Sequence, residues 1–99
     1  MQLYVVTWIF NSSEYQTFAS QALKEELGAG KFDDSFEGYE GIAWIHTPQD
    51  GTGTVICKAE SASILYKVFN PWREKFGMKW DYKPGISTEE LIDLIEDQA

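Results

Sequence analysis

Cations are scarce in this chain. Eight Lys and Arg stand against sixteen Asp and Glu, for a net charge of −8 at neutral pH. Phosphate backbones and anionic lipid surfaces attract the opposite balance, which argues against nucleic-acid and membrane partners. A single cysteine, Cys57, excludes an internal disulfide, and a single histidine, His46, cannot by itself close a metal site. No apolar run approaches the roughly 20 residues that span a bilayer. No charged leader precedes an apolar core, so a cytoplasmic protein without a signal peptide is expected. No metal and no cofactor is expected.

Aromatic residues, in contrast, are abundant. Phe, Trp and Tyr make up 15% of only 99 residues. That length implies a single domain over residues 1–99, and a chain so short buries a limited share of its surface. Surplus apolar area of this kind usually meets a partner.

"MQLYVVTWIF" is β-branched and aromatic, and apolar on both faces, which predicts a central strand. "NSSEYQTFASQALKEELGAG" supplies cap residues, helical apolar spacing and a stop at Gly28. The acidic, Gly-rich "AGKFDDSFEGYEG" reads as a crossing loop that tucks in its two Phe rings. A strand over residues 39–47, the turn at Asp50-Gly51 and the strand "TVICKAE" form a hairpin. "SASILYKVFNPWREKFG" reads as a helix that breaks at Asn70, because Pro71 lacks an amide hydrogen, and ends at Gly77. "MKWDYK" alternates as an edge strand, and Ser87 with Glu90 opens a short acidic helix carrying Leu91, Leu94 and Ile95.

The order βαββαβ plus a terminal helix predicts an α+β, ferredoxin-like domain. It has a four-stranded antiparallel sheet with two helices on one face. Tyr4, Val6, Trp8, Ile42, Trp44 and Ile56 are expected to line the open face, where two copies pack as a homodimer.

The segments "LYVVTWIF", "GIAWIHTPQDGTGTVICKAESASILYKVFNPWR" and "MKWDYKPGISTEEL" resemble a family of short bacterial proteins catalogued as domain of unknown function 3303. The resemblance implies the dimeric α+β barrel superfamily, which holds cofactor-free monooxygenases, isomerases, haem-degrading enzymes and plain ligand binders. Haem-degrading relatives carry a helix histidine that neither long helix has here. Fold alone does not choose among these functions.

Candidate residues follow from chemistry. His46 shares alternation with Ile42 and Trp44, and could act as a base, contact a ligand, or simply end a hairpin at the dimer seam. Lys58, with Tyr4, Trp8, Trp44 and His46, would suit a small amphipathic acid, or it reaches to the rim. Glu60 reads as a helix cap. Cys57 reads as inert filler, and Arg73 as an anion contact at the barrel mouth or a solvated charge. The leading expectation is a homodimer binding a small, mostly apolar, possibly carboxylate-bearing ligand. The alternatives are a cofactor-free monooxygenase or isomerase with His46 as base, and a purely structural interaction module.

Overall fold

A computed structural model describes residues 1–28 and 36–98. The strands are β1 (Gln2–Phe10), β2 (Tyr39–Thr47), β3 (Thr52–Ala59) and β4 (Met78–Gly85). The helices are α1 (Ser13–Gly28), α2 (Ala62–Phe76) and α3 (Thr88–Asp97). The sheet order is β2-β3-β1-β4 with every neighbour antiparallel, the ferredoxin-like α+β arrangement. α1 packs on β1 and α2, and α2 packs on β3 and β4.

Register decides which side chains meet the helices. Trp44, Val55, Val6 and Tyr82 form one row across the four strands, and His46, Gly53, Trp8 and Trp80 form the next. Val6, Val55, Cys57, Ala59, Leu65 and Phe69 are fully buried in the core between this face and α2. The Phe69 ring stacks on Trp80 at 4.5 Å, with Tyr39, Trp44 and Tyr82 around it at 5.9–6.2 Å.

This corrects the expected faces. Tyr4, Val6, Trp8 and Trp44 turn toward the helices, while Leu3, Val5, Ile9, Ile45 and Ile56 line the open face. β1 is apolar on both sides, so its alternation carries no sign of which face is covered. In β2 the register shifts between Gly41 and Ala43. This bulge at Ile42 sends Trp44 and His46 to the helix side. Of the expected open-face set, Ile56 keeps its place, and Ile42 is half exposed at the bulge.

Local signals are realised more directly. The Tyr15 amide donates to Ser12 Oγ at 3.2 Å, capping α1, and α1 ends at Gly28. Gly51 takes the positive φ of +67° that its turn requires. Gly77 closes α2 in the left-handed region, its amide donating to Arg73 O at 3.0 Å. The break expected at Asn70 does not occur: α2 is continuous through Pro71. Burial of Leu65, Val68 and Phe69 before the proline and packing of Trp72 and Phe76 on the core after it hold both sides of the site, and residue 67, whose carbonyl loses the proline's bond, is solvent-exposed. Phe36 is exposed rather than tucked in, and residues 29–35, with the other ring expected to tuck in, Phe32, lie outside the described residues. No helix among the described residues is long and apolar enough to cross a membrane.

Burial raises the pKa of the Tyr82 phenol above its ordinary 10.0, with nearby Arg73 lowering it and Tyr66 raising it in turn. The folded phenol thus keeps its proton where the unfolded one releases it. Its contribution to stability is complete below pH 10.0 and is lost as pH rises through the folded value. Denaturant melts are expected to show this loss from about pH 10 upward, and Tyr82→Phe is expected to flatten it.

Candidate functional site

The row His46–Gly53–Trp8–Trp80 makes the floor of a cavity of about 280 Å³ on the helix side of the sheet. Gly53 makes this floor possible. A Cβ built there would fall 1.9 Å from Trp8 Cζ2, so the indole lies flat across the glycine toward β2. Trp8 then meets His46 edge-on at 5.3 Å, Trp44 at 5.7 Å and Trp80 at 5.4 Å. His46 in turn lies parallel to Trp44 at 6.3 Å. Phe10 and Met78 add wall on the sheet side, and Trp72 of α2 closes one flank.

α1 forms the roof with Gln16, Ala19, Ser20 and Leu23. Its hold on the sheet is slight. Ala19 is the one buried residue among those described in the helix, and Gln16 Nε2 donates to Pro48 O at 2.9 Å, tying the roof to the β2–β3 turn. Tyr15, Phe18 and Leu27 stay about half exposed, so much of the expected apolar stripe remains uncovered.

The polar groups are few: Gln16, Ser20, His46 and Thr52 line the cavity. Trp80 lines it too, and its indole N–H is buried with no acceptor among the described residues. A buried donor left unpaired costs about 1–3 kcal/mol. Ring faces and one imidazole suit an apolar ring with an oxygen acceptor.

Three of the expected site residues, Trp8, Trp44 and His46, therefore come together, but on the opposite face from the one expected. Tyr4 shares that face and packs on the core without lining the cavity. Lys58 is exposed on the open face, paired in register with Leu3 and Glu40, so the sheet separates it from His46. Glu60 does not cap α2, whose N-cap is Ser61. Arg73 is exposed and lies against Glu74 and Asn70, away from the cavity. Cys57 is buried in the core. The residues that the sequence hid are Trp72, Trp80 and the α1 roof. Trp72 and Trp80 read as packing, and nothing in α1 pointed to a ligand. No cluster of three or more metal-ligating side chains occurs among the described residues.

The fold and site define a ferredoxin-like α+β protein with an aromatic cavity between one helix and its sheet. The chain belongs to the family described as domain of unknown function (DUF3303), which matches residues 2–99. No curated protein and no solved structure matches it.

Proposed function

We propose that this protein binds a small, mostly apolar ligand bearing one hydrogen-bond acceptor in the cavity beneath α1. The observation that carries this reading is the ring of Trp8, Trp44, Trp72, Trp80 and His46 around about 280 Å³. His46 is the group that meets the acceptor, and the indoles supply the apolar contact.

Calorimetric titration with benzoate, acetophenone and toluene tests it. Benzoate or acetophenone is expected to bind with a Kd on the order of 0.1 mM, as suits a ligand of this size. Ser20→Trp, at an exposed position on the roof, is expected to fill the space and abolish binding. His46→Phe is expected to weaken acetophenone roughly threefold to tenfold and leave toluene unchanged. No saturable binding of any probe, or undiminished binding by Ser20→Trp, rejects the proposal.

We propose further that two copies pair through the open sheet face. Leu3, Val5 and Ile56 form an apolar cluster there, with Ile45 beside it and Ile9 beyond Thr7, Ile9 being 46% and Ile45 53% exposed.

A further inference from the structure

α3 is folded but carries no buried residue. Its capping box is complete, Glu90 N donating to Ser87 Oγ at 3.1 Å and Ser87 N to Glu90 Oε1 at 3.5 Å. Yet Leu91, Ile92, Leu94 and Ile95 are 47–59% exposed. The helix makes no substantial contact with any other element among the described residues. A ten-residue helix is marginal alone in water, so this stripe calls for a cover.

Charge separates the possible covers. Glu89, Glu90, Asp93, Glu96 and Asp97 give α3 five acids and no cation. An anionic lipid surface would repel it. The open sheet face of this same chain is complementary. It presents apolar residues together with Lys58, Lys79 and Lys83 against Glu40 and Asp81, a small cationic excess in an otherwise acidic chain. Only Lys83 of these three has an acidic partner among the described residues, Asp81 at 3.7 Å. At the Ile9 end of that face, Thr7, Ile9, Thr54, Lys79 and Asp81 border a concavity of about 390 Å³, and the charge of Asp81 is met by Lys83. α3 leaves its own sheet at the other end, where Gly85 pairs with Leu3.

We propose that the α3 of each copy docks on the open sheet face of a second copy, at its Ile9 end. This rests on the pairing proposed above. With the two-fold axis lying across the strands, the Gly85 end of one sheet stands over the Ile9 end of the other. Leu91, Leu94 and Ile95 then cover Ile9 and its neighbours, and the acids meet Lys79. The helix is about 15 Å long, enough to cross three strands. Each chain offers both the helix and its receptor, so the contact is made twice and closes.

Sedimentation of the full chain tests this, with Leu91→Asp/Leu94→Asp and Val5→Glu as variants. Neither Leu91 nor Leu94 is buried, so the double variant is expected to keep the wild-type thermal midpoint of the monomer. Its dimer is expected to dissociate at tenfold or more lower dilution than wild type. Mixed Ile9→Cys and Leu94→Cys chains are expected to form an inter-chain disulfide on mild oxidation, Cys57 being buried. A wild-type dimer dissociated by Val5→Glu but untouched by the α3 variant overturns the docking and leaves the sheet pairing standing. A wild-type monomer at tens of micromolar overturns both. Binding of wild type to anionic phosphatidylglycerol vesicles, lost in the α3 variant, assigns the helix to lipid and overturns the proposal.

Discussion

Phe69→Ala is expected to lower the thermal midpoint by roughly 15–30 °C. The ring is fully buried and touches aromatic partners from β2 and β4, so no single side chain can slide in to replace it. Truncating a buried Phe costs about 3–5 kcal/mol, and a chain of this length has about 5–15 kcal/mol in all. Each kilocalorie shifts the midpoint by about 4–8 °C at this size. Phe36→Ala, at a side chain 38% exposed, is the matched control, expected within about 0.5 kcal/mol of wild type. Circular dichroism melts read both. A drop below about 5 °C for Phe69→Ala would show that the rings around it close the gap.

Gly53→Ala is expected to cost about half as much, although it adds only one methyl group. The new carbon would stand 1.9, 2.2 and 2.5 Å from three atoms of the Trp8 ring. That ring is 5% exposed and flanked by Trp44, Trp80 and His46, so it cannot retreat without moving them. Overpacking of this kind costs about 1–3 kcal/mol, partly offset by the better backbone preference of alanine in a strand. A net loss of about 2 kcal/mol is expected, with the acetophenone site abolished because its floor is displaced. Trp8→Phe in the same chain is expected to return part of the stability, since the shorter ring clears the methyl. Additive losses in that double variant would show that the two positions do not share a contact.

Punctuation in the chain is local chemistry, and it was legible. Ser12, Asp50-Gly51, Gly77 and the Ser87–Glu90 box each act within a few residues, so the element order follows from the sequence. Which face is covered is a different kind of question. β1 offers Val5 and Val6 alike to opposite sides, and only the helices decide between them. One extra residue at Ile42 then reverses the reading of everything after it in β2, including His46. Pro71 shows the same limit: its local preference for a break yields to the burial of Phe69 beside it. The cavity was hidden for a related reason. Its walls come from all four strands, α1 and α2, and nothing in any one of those segments marks the space between them.

The roof over that space is a helix held to the sheet by one alanine and one glutamine-to-proline bond and to the molecule by its packing on α2, while the open sheet face lies on the far side of four strands. On the proposed reading, a ligand and a second copy of the chain take opposite faces of one sheet, so the rate at which a ligand leaves is expected to be the same in monomer and dimer.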